Sequence, residues 1–415
     1  MRVLFRTLRG VACIGLLVSM LGASASAQSG PPIKIGFGIE LTGALTSSGN
    51  AHLIAKQIWA EEINAKGGLL GRPVQLIFYD NQTNASTMPG IYTKLLDVDK
   101  VDLLMGAATN MIVAAMPVAM QRNKMVMTLL ALASNDAFNY PRYFHSAPFG
   151  PEAKLVHARN FFETAKLLNP RPQTVALVGA DAEFSGNAIK GARDLAKEYG
   201  LRIVYDRSYP PATTDFGPIV RAIAATNPDI VFVASYPVDS VGMVRAAREL
   251  GLKAKMFGGA MVGLQYAGIR SQLADQLNGV VNYELWVPSP KMKFPGIDEF
   301  LQKYQPRAKE KGVDPLGYYQ PPFAYAAMQV LEQAIKATGS VDDAKLSDYM
   351  HKNKFSTIVG EFSFDRRGEW STQRVLMVQF QNVKGSGLDQ YAKEGTVAVV
   401  FPSEYKDGDL QPFSR

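Results

Sequence analysis

The chain has 415 residues, a single cysteine, and 44 basic against 37 acidic side chains. That length exceeds an ordinary single domain, and so low a cysteine count excludes a disulfide scaffold. With 47% hydrophobic and 20% charged residues the balance is globular, which excludes bulk disorder and collagen-like repeats.

The first element is a leader. Arg2, Arg6 and Arg9 make a positive start, residues 11–21 an apolar run, and Ala25-Ser26-Ala27 a small-residue cleavage site. Residues 1–27 therefore read as a signal peptide, with Gln28 opening the mature chain. The apolar run is shorter than the roughly 20 residues that span a bilayer, and no later segment qualifies, so the expectation is an exported, soluble protein in the periplasm. Nearly half of the seven-charge positive excess leaves with the three arginines, and no Lys/Arg block remains to track nucleic acid. The only cysteine, Cys13, leaves too. The mature chain thus has no thiol for a disulfide, a metal, a nucleophile or a lipid anchor.

Beyond the leader, β-rich runs at 33–39, 74–79, 101–105, 124–128, 174–178, 203–205 and 230–234 are bounded by Gly, Pro, Asn or Asp. Helical patterns lie between them at 50–66, 111–123, 152–168, 186–199 and 239–250. In the first of these, Ile54, Ala55, Ile58, Trp59 and Ile63 recur at spacings of three and four, and Gly67-Gly68 supplies the stop. Such alternation predicts an α/β fold of doubly wound parallel sheets with helices on both faces. The length calls for two lobes, with breaks near Pro148-Phe149-Gly150-Pro151 and Val287-Pro288-Ser289-Pro290. The stretch after Gly385 is rich in turn residues and carries no clear pattern.

Catalytic motifs are missing. Gly36-Phe37-Gly38 follows a strand, but Leu41 stands where the dinucleotide fingerprint needs its third glycine. There is no phosphate-binding GxxxxGK[ST], no HExxH and no GxSxG. His52, His145, His157 and His351 are scattered without metal spacing, and His52 and His157 read as exposed or capped structural residues. Glu61-Glu62 reads as a solvated helix face. Neither an enzyme nor a cofactor is expected, which leaves ligand binding in the cleft between two lobes, where strand C-termini and helix N-termini converge.

The opening stretch IGFGIELTGALTSSG (35–49), followed by EINAKGGLLGRP (62–73) and Tyr79-Asp80, resembles periplasmic leucine/isoleucine/valine-binding proteins, the type I solute receptors of ABC importers. Weaker matches continue at 106–110, 133–135, 215–216, 251–253, 314–317 and 357–360. The resemblance implies two lobes joined by a three-stranded hinge, with crossings near 147–151, 284–289 and 357–366. Lobe 1 would comprise 28–148 and 288–358, and lobe 2 149–287 and 359–415. It also implies a monomer that captures a small molecule by hinge closure and presents it to a membrane permease.

Carried over position by position, the resemblance assigns an α-carboxylate to Thr109 and Asn110 and to Leu132, Ala133 and Ser134. Both loops precede helix N-termini, whose free N–H groups suit an anion; Thr109, Asn110 and Ser134 also fit simple helix caps. Ser48 stands where the family places an aromatic, and Phe184, Tyr236 and Tyr319 match cleft aromatics. Ala260 aligns with the carboxylate that pairs with a ligand ammonium in amino-acid binders. Asp181, Glu183 or Asp239 could replace that charge from neighbouring loops. An unpaired buried ammonium costs several kcal/mol, so alanine at 260 points to a carboxylate or amide with an apolar or aromatic body. A branched-chain or other apolar amino acid, or a receptor that presents its ligand to a sensor, is the second choice.

Overall fold

The computed structural model describes residues 30–106 and 108–413. The leader, with Cys13 and Gln28, and Ala107 of the 106–110 motif lie outside the described residues.

The first sheet is built from β1 (Ile33–Ile39), β2 (Val74–Asp80), β3 (Leu103–Met105), β4 (Val126–Thr128) and β5 (Tyr143–His145). Its order is β2-β1-β3-β4-β5 and every pair is parallel. The intervening helices are α1 (Thr46–Ala65), α2 (Met88–Asp97), α3 (Thr109–Gln121) and α4 (Asn135–Phe138). Apolar β1 residues at every second position are fully buried, and Trp59 on α1 donates its indole N–H to Glu332 at 3.0 Å. The predicted glycine stop after α1 is real and has a steric reason. Gly68 has φ +78°, and a Cβ there would lie 1.9 Å from the Arg72 carbonyl oxygen.

The chain then forms α5 (Val156–Ala165), β6 (Thr174–Ala180), α6 (Glu183–Glu198), β7 (Arg202–Tyr209), α7 (Gly217–Ala225), β8 (Ile230–Ser235), α8 (Pro237–Glu249), β9 (Met256–Met261), α9 (Ala267–Leu273) and β10 (Val281–Glu284). It returns through α10 (Ile297–Glu310), α11 (Pro321–Thr338) and α12 (Asp343–Lys352), and α10 and α11 pack on α1. A hairpin of β11 (Lys354–Thr357) and β12 (Gly360–Ser363) precedes β13 (Leu376–Phe380) and β14 (Val397–Phe401). The second sheet has the order β14-β13-β10-β9-β8-β6-β7. Strands β6 to β10 pair in parallel, while β13 and β14 add an antiparallel edge. The expected doubly wound parallel sheets are present, and the second carries an added antiparallel edge. Its extra strands come from the returning C-terminal segment, including the turn-rich stretch after Gly385.

Both sheets reverse their winding direction beside their first strand, β1 next to β3 and β6 next to β8. In open α/β sheets the crevice outside the strand C-termini at such a reversal is where ligands bind. Gly258 and Gly259 let β9 run close to its neighbours. At φ +128°, a Cβ on Gly258 would meet the Val281 carbonyl oxygen at 1.9 Å.

Candidate functional site: a cavity between the two sheets

A cavity of about 40 Å³ lies where the two reversals face each other. Leu45 and Ser48 reach it from the segment after β1, Ala108, Thr109 and Asn110 from that after β3, and Leu130 and Leu132 from that after β4. From the other side come Phe184, Tyr236, Val262 and Tyr266, which follow β6, β8 and β9. Phe149, Tyr283, Tyr319 and Gln320 complete the wall. None of these side chains carries a charge.

The first-sheet loops are held by an ordered set of hydrogen bonds. The Thr109 hydroxyl accepts from the Leu132 N–H at 3.0 Å and donates to the Leu130 carbonyl at 3.2 Å. His145 Nε2 accepts from the Ala131 N–H at 3.0 Å, and its Nδ1 meets Glu369 at 2.8 Å. Ala108, the residue before α3, offers no side-chain cap; its carbonyl accepts from the Met111 N–H at 2.9 Å and its backbone hydrogen-bonds the buried Glu40 carboxyl. An uncapped first turn presents N–H groups and partial positive charge to an anion.

Asn110 does cap a helix, but the one opposite. Its Oδ1 accepts from the Phe184 N–H in the first turn of α6 at 3.4 Å and from the Tyr236 hydroxyl at 3.0 Å. Burial pushes the Tyr236 phenol up to about 12, so it remains a neutral donor. Asn187 adds a third link across the cleft, donating to the Leu132 carbonyl at 3.2 Å.

A second polar group lines the same cavity. Ser48 donates to Gln320 Oε1 at 2.6 Å, and Tyr283 and Tyr319 share a hydrogen bond between their hydroxyls. Tyr266 packs on Tyr319 at 5.9 Å between ring centroids, and its buried hydroxyl, beside Ser48 and Gln320, lies within hydrogen-bond distance of no partner among the described residues.

Ser48, Thr109, Asn110, Leu132, Phe184, Tyr236 and Tyr319 thus meet on one cavity wall, whereas Ala133, Ser134 and Ala260 do not. Ala133 sits at φ +53° and turns the chain away behind Leu132. Ser134 is buried beside Tyr143 and makes no side-chain cap at the start of α4. Ala260 is fully buried within β9, paired with Ala234 of β8, and the wall begins two residues further on at Val262. The candidate replacement charges also lie off the cavity: Asp181 and Glu183 are exposed, and Asp239 accepts from the Tyr209 hydroxyl at 3.1 Å and the Tyr236 N–H at 3.3 Å.

Sequence reasoning misses Leu45, Ala108, Leu130, Phe149, Val262, Tyr266, Tyr283 and Gln320 as wall residues. Gln320 adjoins Tyr319 and Phe149 lies in the first predicted break, so both had a local signal; Tyr266 and Tyr283 had none. The reading of His52 and His157 as exposed or capped is overturned. Both are buried and carry unpartnered ring nitrogens, and burial pushes each down to about 3, aided for His52 by the nearby Lys56. His157 lies behind the wall, with ring centroids 4.5 Å from Tyr283 and 5.8 Å from Phe184. Glu61 and Glu62 bind α10 instead of facing water alone, through Arg307 at 2.6 Å and Lys303 at 2.5 Å.

The family model for periplasmic binding proteins matches residues 32–386. This chain belongs to the periplasmic binding protein family. Among relatives of this binding protein, the Leu/Ile/Val-binding protein homolog 7 of Brucella abortus (strain 2308) is 25% identical over 382 residues, covering 89% of this chain and 94% of its own. Its fold is shared with the branched-chain amino acid transporter substrate-binding protein of Streptococcus pneumoniae solved with isoleucine, at a TM-score of 0.70 and 19% identity, covering 85% of this chain and 97% of that one. A solute-binding protein of an ABC transporter from Rhodopseudomonas palustris HaA2, solved with p-hydroxybenzoic acid, gives a TM-score of 0.72 at 19% identity, covering 92% and 98%. The binding protein therefore has the type I, two-lobed architecture, with its cavity between the lobes. Among the described residues no group of His, Asp or Glu could hold a metal ion, and no helix is long and apolar enough to cross a membrane.

Proposed function

We propose that this binding protein captures a small carboxylate or amide with an aromatic or apolar body and hands it to an ABC membrane permease. The single observation that carries this reading is the uncharged cavity wall. An α-amino acid would bring an ammonium with no carboxylate to meet it, whereas a lone carboxylate has the uncapped first turn of α3 beside Thr109 and Asn110. The relatives and neighbours include binders of both kinds by name, and the uncharged wall supports the acid reading.

In this reading the lobes part to admit the ligand and close through Asn110, Tyr236 and Asn187. The cavity of about 40 Å³ holds only a few waters as it stands, so a ligand needs that movement. The three crossings near 147–151, 284–289 and 357–366 form the hinge. The leader is removed on export, the mature monomer works in the periplasm, and no bond of the ligand is made or broken.

A thermal-shift panel of the mature protein with benzoate, benzamide, leucine, isoleucine and valine tests this. A true ligand at 100 times its Kd adds about 2.7 kcal/mol of stability. Benzoate or benzamide is expected to stabilise; stabilisation by the amino acids alone would overturn the reading.

A further inference from the structure

Resting on that ligand reading, the cavity has one feature that a plain aromatic or aliphatic acid leaves unused. The uncapped first turn of α3 and the Asn110 and Tyr236 pair form one polar group. Ser48, Gln320, Tyr266, Tyr283 and Tyr319 form another on the same wall. From this second group we infer that the ligand carries a hydroxyl on its body as well as its acid, and that Tyr266 and its neighbours select for it.

The count of donors and acceptors leads there. Tyr266 is 5% exposed, and its hydroxyl, buried at the cavity beside Ser48 and Gln320, lies within hydrogen-bond distance of no partner among the described residues. Tyr283 and Tyr319 share one hydrogen bond, which uses one of their two hydroxyl protons, and the other proton has no acceptor among the described residues. A buried, unsatisfied donor costs about 1–3 kcal/mol, and an acceptor supplied by the ligand removes that cost. Ser48 and Gln320 are bonded to each other at 2.6 Å, and the Gln320 carbonyl can still accept a second proton. A hydroxyl fits this set, since it accepts from Tyr266 and donates to Gln320 or to a tyrosine oxygen.

A second carboxylate does not fit. No cation lines the wall, and Arg270, behind it, is committed to Glu284 at 2.5 Å. Two carboxyl groups back the cluster instead: Glu284 follows Tyr283 on β10, and Asp314 accepts from the Ala267 N–H beside Tyr266 at 3.3 Å. An apolar tip would leave the two free phenol protons where they are. The class of ligand assigned is therefore a hydroxylated aromatic acid.

The test is titration calorimetry of the mature protein with benzoate and with 2-, 3- and 4-hydroxybenzoate, repeated on Tyr266→Phe and Tyr319→Phe. At least one hydroxybenzoate is expected to bind about tenfold more tightly than benzoate, the effect of one added hydrogen bond in a dry site. In Tyr266→Phe that ratio is expected to collapse to about threefold or less. Benzoate binding as tightly as all three hydroxybenzoates overturns the hydroxyl inference while leaving the carboxylate reading intact. So does a preference that survives both substitutions. Binding of isoleucine with no binding of any benzoate overturns both.

Discussion

The Tyr236 hydroxyl and the Asn110 side chain meet across the cleft at 3.0 Å, joining the start of α8 on one lobe to the first turn of α3 on the other. The same Asn110 oxygen also accepts from the Phe184 N–H, so a single amide side chain holds two elements of the opposite lobe. Asn110→Ala should leave the folded lobes intact and weaken the closed form by about 1–2 kcal/mol, since two donors lose their acceptor. Ligand affinity should fall about 5- to 30-fold by titration calorimetry. Small-angle scattering at fixed ligand should show a larger open fraction than in the parent protein.

Ala260 aligns with a carboxylate of amino-acid binders, yet it lies inside β9 and not on the cavity. Ala260→Asp should therefore bury an unpaired carboxylate and cost about 3 kcal/mol or more in denaturant unfolding. It should not create amino-acid binding. Unchanged stability together with a new affinity for isoleucine would show that position 260 faces the ligand after all.

Acid should destabilise this protein through its buried histidines. An unfolded histidine titrates near 6.5, while burial holds His157 at about 3. Between those values the unfolded chain binds a proton that the folded chain refuses, so the stability is complete above about pH 6.5 and is lost as pH falls toward 3. His157→Phe keeps a flat ring among Phe149, Phe184 and Tyr283 and removes that proton. The slope of unfolding free energy against pH, measured by urea denaturation from pH 6 to 4, should decrease by about 1.4 kcal/mol per pH unit relative to the parent.

The parts of this fold that could be read from sequence are those with local signals. Strands β1, β2, β3, β6 and β8 and helices α1, α3, α6 and α8 show local patterns bounded by glycine, proline, asparagine or aspartate, and among them are the strands of both winding reversals. Helices α10 to α12 and strands β13 and β14 lacked such a reading because their places depend on the chain's return, α10 and α11 to α1 and β13 to β10. The site divides in the same way. Ser48, Thr109, Asn110 and Phe184 sit in the first turns of helices that follow strands, and Tyr236 directly precedes one. Tyr266 and Tyr283 join the cavity only because β9 and β10 pair side by side and both end at it. Ala133 and Ser134 follow Leu132 directly, but a residue at φ +53° turns them behind the wall, which no spacing rule reveals.

The central claim is that the cavity takes a carboxylate and has no place for an ammonium. Calorimetric titration with matched pairs isolates that one group: isoleucine against 3-methylpentanoate, and phenylalanine against 3-phenylpropanoate. In at least one pair the deaminated acid should bind about tenfold or more tightly than its amino acid, as a buried, unpaired charge requires. Tighter binding of both amino acids than of their deaminated partners would contradict the account.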